Sequence, residues 1–216
     1  MSREPLVIDG YLLQASSGET ILDAARRAGV EIPTLCQHER SGTKGLCRLC
    51  LVEVEGWRRP VPACATEAIA GMVVHTESEG LKRLRRVLLE LLALETNLEY
   101  DKKAQGLLAR YRARPERWGA PLADRREREP LQDNPFFARE YDKCYNCRRC
   151  LDACAEGIQG VWAYSFVGRG NKALPATPLD LPMAEAGCVF CGNCVQVCPT
   201  GALAPLEEVL LAEGER

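Results

Sequence analysis

The chain has 216 residues, 46% of them hydrophobic, and its 28 Lys and Arg against 30 Asp and Glu leave a formal charge of −2. That length accommodates two small domains, and the near balance of charge excludes a global field that would draw the chain to nucleic acid or an anionic membrane. The start, MSREPLVIDG, lacks a secretory apolar stretch, and the longest apolar run, near Val87 to Leu94, is interrupted by Glu90 and too short to span a bilayer; a cytoplasmic protein without membrane insertion is expected.

Leu6-Val7-Ile8 and Tyr11-Leu12-Leu13 flank the turn pair Asp9-Gly10, which predicts a hairpin. Thr20 then caps a helix with Ile21, Leu22, Ala25 and Ala28 at helical spacing, Asp23 in its first turn and Gly29 as its stop. Leu51-Val52-Glu53-Val54 and Met72 to His75 read as later strands, with Gly56 turning the first. Hairpin, helix and later strands together point to a β-grasp domain.

Leu81, Leu84, Leu88, Leu91 and Leu92 form an apolar helical face, with Lys82, Arg83, Arg85 and Arg86 elsewhere around the turn; core or subunit contact is the expected use. From Glu99 to Asp142 charges and prolines take over, including Arg110, Arg112, Arg114, Arg117, Arg125, Arg126 and Arg128. Acids such as Glu116, Asp124, Glu127 and Glu129 dilute the arginines, so a solvated linker with a short helix near Ala104 to Tyr111 is expected in preference to a basic docking face.

All twelve cysteines fall into three groups of four. Cys144, Cys147, Cys150 and Cys154 are spaced Cys-x2-Cys-x2-Cys-x3-Cys, and Cys188, Cys191, Cys194 and Cys198 repeat that run, ending in Pro199. This is the bacterial ferredoxin spacing for a 4Fe-4S cubane. In two-cluster ferredoxins the fourth cysteine of each run crosses to the other cluster. Transferred here, one 4Fe-4S centre takes Cys144, Cys147, Cys150 and Cys198, and the other takes Cys154, Cys188, Cys191 and Cys194. The first group, Cys36-x10-Cys47-x2-Cys50-x13-Cys64, has the Cys-x2-Cys centre of a plant-type 2Fe-2S ferredoxin with a longer first gap, in which Gly42 and Gly45 let the backbone wrap closely. Structural zinc and disulfides are the alternatives. Three thiols at successive steps of three residues suit the corners of a cubane better, and the cysteine density lies below that of disulfide scaffolds.

The stretch Gly45-Leu46-Cys47-Arg48-Leu49-Cys50-Leu51-Val52-Glu53-Val54-Glu55-Gly56, Pro62-Ala63-Cys64, and the run from Cys188 to Leu203, resemble the iron–sulfur subunit of NAD-linked hydrogenases. Counterparts stand at the amino end of the large iron–sulfur subunit of respiratory complex I and in NAD-dependent formate dehydrogenases. The resemblance covers essentially the full chain. It implies an α+β architecture: a 2Fe-2S β-grasp domain over 1–78, a helical connector over 79–135, and a double 4Fe-4S ferredoxin-like domain over 136–216. It also implies an electron-transfer subunit working between a flavin- and NAD(H)-binding iron–sulfur subunit and a separate catalytic hydrogenase or formate dehydrogenase subunit. A free-standing polyferredoxin is the rival reading, and a cluster-bearing sensor a third with no DNA-binding motif behind it.

One departure is plain. The family carries a further centre, held by one histidine and three cysteines, soon after the leucine-rich helix, whereas this chain reads Leu94-Glu95-Thr96-Asn97-Leu98-Glu99-Tyr100-Asp101-Lys102-Lys103 there. That centre cannot form in the family's way. The only histidines, His38 and His75, lie in the first domain, and His38, near Cys36, is expected to be exposed or structurally bonded in preference to tuning the cluster by a hydrogen bond. Gly168-Arg169-Gly170 lacks the Gly-x-Gly-x-x-Gly fingerprint, no P-loop occurs, and no catalytic residue or independent substrate site is assigned.

Overall fold

The computed structural model describes residues 5–39, 43, 45–120, 130–155 and 158–214. Gly42, Asp124, Arg125, Arg126, Glu127, Arg128 and Glu129, named above, lie outside the described residues.

Strands β1 (Leu6–Ile8) and β2 (Tyr11–Leu13) pair antiparallel as the expected hairpin. Asp9 and Gly10 both take positive φ, 47° and 86°, the conformation a tight two-residue hairpin requires. Helix α1 (Ile21–Arg27) is capped by Thr20, whose side chain accepts from the Asp23 N–H, and Gly29 ends it at φ 74°. Strands β3 (Leu51–Val54), β4 (Val61–Pro62) and β5 (Val73–His75) complete a five-stranded sheet in the order β2-β1-β5-β3-β4, with β5 parallel to β1 in its middle. The helix packs Ile21, Leu22, Ala24 and Ala25 on Leu6, Ile8, Val52 and Val74. Cys50 and Cys64 lie in that core. Strand β4, short and ended by a proline, carries no alternation by which sequence could reveal it.

Helix α2 (Glu79–Glu95) corrects the apolar stripe. Its buried residues are Leu81, Arg85, Leu89 and Glu90, while Leu91 is exposed and Leu84, Leu88 and Leu92 are half-buried. Arg85 is fully buried because its guanidinium meets the Leu49, Leu51 and Thr76 carbonyls and the Glu77 carboxylate, each at 2.6–2.9 Å. These acceptors lie on loops remote in sequence, and local periodicity contains no trace of them.

The connector is correspondingly less solvated than expected. Helix α3 (Lys102–Arg110), capped by Asp101, packs Ala104, Leu107 and the following Tyr111 beside Leu89 and Leu98. Buried Glu90 then holds the next turn, Pro115–Trp118. Its carboxylate accepts from the Arg114 N–H, the Arg117 guanidinium and the Trp118 indole at 2.8–2.9 Å. Arg110 reaches back to Glu31 and Glu77.

In the last third, β6 (Phe137–Arg139) pairs antiparallel with β9 (Leu203–Pro205), closing the segment that holds both cysteine runs. Between them lie α4 (Arg149–Cys154), the hairpin β7 (Ser165–Val167) with β8 (Leu174–Ala176), and α5 (Asn193–Gln196) packed on α4. Gly168 turns that hairpin at φ 78°, where a Cβ would come within 2.5 Å of the Lys172 carbonyl oxygen. Its glycine thus serves a turn. Helix α6 (Leu206–Gly214) follows.

Candidate iron–sulfur sites

The structure gathers the cysteines into three sets. In the first, Cys36 Sγ lies 3.5 Å from Cys47 Sγ, and Cys50 Sγ lies 3.4 Å from Cys64 Sγ. The loop from Pro33 to Cys50 brings them together: Gly45 and Arg48 take positive φ on either side of Cys47, and Thr43 donates to the Cys64 carbonyl at 2.8 Å. Within each pair one thiol donates to the other. The hydrogen bond from Cys36 holds Cys47 down at about 6, that from Cys50 holds Cys64 down at about 7, and the donors Cys36 and Cys50 are pushed up.

The other two sets follow the crossed grouping. Cys144, Cys147, Cys150 and Cys198 line one cavity, together with Tyr141, Tyr145 and Leu203. Cys154, Cys188, Cys191 and Cys194 line another, with Phe137, Tyr164 and Phe190. Each run thus contributes three sulfurs to one cavity and its fourth to the neighbour.

The two runs are built alike in backbone as well as spacing. Asn146 and Phe190, each two residues past the first cysteine of its run, have φ 58° and 52°, and each donates its N–H to that cysteine's sulfur at 3.4 Å. Arg148 and Gly192, each directly after the second cysteine, have φ 64° and 74°. The crossing sulfurs also receive N–H donors, Cys154 from Ala163 at 3.2 Å and Cys198 from Leu203 at 3.4 Å. Positive φ turns the peptide N–H groups inward and lets a short loop close around a bulky anionic group. Only Gly192 signals this conformation in sequence; in the first run Asn146 and Arg148 adopt it at matching offsets.

Burial pushes Cys147 and Cys194 up to about 12 and Cys150 well above its ordinary value, with neighbouring cysteines adding like-charge repulsion. Four thiolates sharing a dry cavity are stable only opposite several positive charges, and polarizable sulfur suits iron–sulfide clusters. The donor sets, the inward N–H groups and the enclosed cavities therefore fit the groups that the spacing implies. Cys191 is the exposed member, at the surface edge of the second cavity.

A further cavity of about 380 Å³ separates the first set from the next. Cys36, Cys47, Leu49, Tyr145, Cys147 and Phe166 line it, with Leu88, Leu91 and Leu92 of α2. The leucines of the expected stripe therefore face the gap between two cysteine sets. His75 bonds to Glu55 at 2.9 Å on the surface, and His38 is half-buried. Among the described residues no helix is long and apolar enough to cross a membrane.

Comparison with known proteins gives the same division. Residues 5–79 match the 2Fe-2S iron-sulfur cluster binding domain and residues 143–202 the 4Fe-4S dicluster domain. The chain thus carries one 2Fe-2S domain and a dicluster domain for two 4Fe-4S clusters. The NADP-reducing hydrogenase protein HndD of Solidesulfovibrio fructosivorans is 35% identical over 97% of this chain, and the mitochondrial NADH-ubiquinone oxidoreductase 78 kDa subunit of Candida albicans is 29% identical over 92%. The chain spans only 37% and 28% of those relatives' own lengths. A crystal structure of an NAD+-reducing [NiFe]-hydrogenase in the H2-reduced state contains a chain that superposes with a TM-score of 0.82 at 28% identity, covering 94% of this chain and 87% of that one.

Proposed function

We propose that this chain, a homologue of the iron–sulfur subunits of complex I and NAD(P)-linked hydrogenases, is an electron relay within a cytoplasmic multisubunit oxidoreductase. Cys36, Cys47, Cys50 and Cys64 hold a 2Fe-2S cluster; Cys144, Cys147, Cys150 and Cys198 hold one 4Fe-4S cluster; Cys154, Cys188, Cys191 and Cys194 hold the other. When bound, the clusters take up and release single electrons.

The observation that carries this reading is the serial packing of the three cysteine sets. Cys47 and Cys147 share one apolar cluster with Leu35, Leu49 and Tyr145, and Cys150, Cys154 and Cys194 share the next with Phe137, Tyr164 and Met183. The protein's part is to fix sulfur positions through backbone N–H groups and to bring Cys191 to the surface. Without the family's histidine-ligated centre, the relay is a single file of three. Proposed partners are a flavin- and NAD(H)-binding iron–sulfur subunit and a separate catalytic hydrogenase or formate dehydrogenase subunit, with no nucleic acid and no direct membrane insertion. The divisions 1–78, 79–135 and 136–216 then correspond to first centre, packed connector and cubane pair.

Anaerobic purification from the native source, with companion subunits identified, tests the proposal. A stable flavoprotein companion is expected. A monodisperse monomer with no companion would instead favour a free-standing polyferredoxin.

A further inference from the structure

The first cysteine set and the adjacent cubane set are joined by more than apolar contact. Arg149 sits between the ligands Cys147 and Cys150. Its guanidinium leaves that loop altogether. One nitrogen, Nη2, donates to the Leu35 carbonyl at 2.7 Å and the Gln37 carbonyl at 2.8 Å, the two carbonyls that bracket Cys36. Tyr145 adds its hydroxyl to the same Leu35 carbonyl at 3.4 Å. The Leu35 N–H, in turn, donates to the Cys47 sulfur at 3.5 Å. A path of chain and hydrogen bonds therefore runs from Cys147 through Arg149 and Leu35 to Cys47, a hundred residues away in sequence. Leu35 is 1% exposed, so water does not compete for its carbonyl. Arg149 Nε is buried and without a hydrogen-bond acceptor among the described residues.

We infer that Arg149 is a positioning residue coupling the amino-terminal centre to the first cubane: it fixes the two ligand loops against each other and sets both reduction potentials with one shared positive charge. The inference rests on the relay reading and deepens it. Reduction adds negative charge to a cluster, and a desolvated cation beside it favours the reduced form, raising the potential. A guanidinium in this place acts on both neighbours, because it is bonded to the backbone of one ligand loop and carried by the other.

Redox titration followed by electron paramagnetic resonance, on the complex as purified, tests the inference. Arg149→Gln keeps a donor and removes the charge, and Arg149→Met removes both. Each is expected to shift the 2Fe-2S centre and the adjacent cubane together to lower potential, and to weaken the spin–spin broadening between them when both are reduced. Arg83→Gln makes the same charge change at an exposed residue of α2 that lines neither cavity and should leave both potentials in place. Potentials and broadening unchanged in Arg149→Gln, with all centres present, would overturn the inference while leaving the relay intact. A shift confined to the cubane would also overturn it. Absence of the 2Fe-2S signal from the wild-type protein would instead overturn the relay reading. Should Arg149→Met fail to assemble, Arg149→Gln decides the matter alone.

Discussion

The guanidinium of Arg85 donates to the Leu49 carbonyl at 2.8 Å, and to the Leu51 carbonyl at the same distance, so one fully buried charge grips the peptide on both sides of Cys50. The grip links α2 to the ligand loop of the first centre. Removing it leaves the Leu49, Leu51 and Thr76 carbonyls without this donor in a dry interior.

Arg85→Met is therefore expected to cost about 3–5 kcal/mol, the usual penalty for taking one member from a buried charged network. Denaturant unfolding measures that cost. The 2Fe-2S signal should fall along with stability, because Cys50 loses the frame of its loop, while the cubane signals persist. An exposed neighbour, Arg83→Met, should do neither.

Crossed ligation makes a second prediction. Cys154→Ala should remove the cubane held by Cys188, Cys191 and Cys194, although Cys154 belongs in sequence to the other run. Iron should fall from about ten to about six per chain, with the 2Fe-2S centre and the other cubane retained. Loss of the Cys144, Cys147 and Cys150 centre alone would contradict the crossing.

Glu90 gives a third, in pH. Burial pushes its carboxyl up, but the Arg114 N–H, the Trp118 indole and the Arg117 guanidinium together hold it below its ordinary 4.5. A carboxyl lowered in the folded state adds stability that is full above its unfolded value and is lost as pH falls through the folded value. The Glu90 contribution is accordingly present at neutral pH and disappears below about pH 4.5. Glu90→Gln should lose about 1–3 kcal/mol at pH 7 and show a shallower decline below pH 4.5. It should also expose the turn Pro115–Trp118 to faster proteolysis. Equal stability at pH 7 would remove Glu90 as the anchor of the connector.

Iron removal should separate the two ends of the molecule. The amino-terminal sheet keeps an apolar core of Leu6, Ile8, Ile21, Leu22, Val52 and Val74 beside Cys50 and Cys64, whereas Cys150, Cys154 and Cys194 are three of the eight buried residues of the cubane region's core. Anaerobic chelation should unfold the latter first, because ligand binding there is folding free energy. Hydrogen exchange would show protection persisting in β1, β3 and β5 while β6 and β9 open. Simultaneous opening of both sheets would contradict this order.

What could be read from sequence was local. The Asp9-Gly10 turn, the Thr20 cap and the Gly29 stop each follow from the conformation one or two residues can adopt, and all appear in the structure. The two cysteine runs were legible because their spacing repeats. Arg85, Glu90 and Arg149 were not, since their partners lie 8 to 114 residues away and nothing beside them in sequence marks them as buried. On a helix projection Arg85 looks like an ordinary solvated base. The same limit hid the roles of Leu88, Leu91 and Leu92, whose apolar character was plain but whose cavity is formed by two distant loops.

The central claim, one binuclear centre beside an interlocked cubane pair, is tested most directly by iron and sulfide analysis with Mössbauer and electron paramagnetic resonance spectroscopy on anaerobically purified protein. The account predicts about ten irons per chain, as one 2Fe-2S and two 4Fe-4S clusters. About twelve irons in three 4Fe-4S clusters would contradict the assignment of Cys36, Cys47, Cys50 and Cys64 to a binuclear centre.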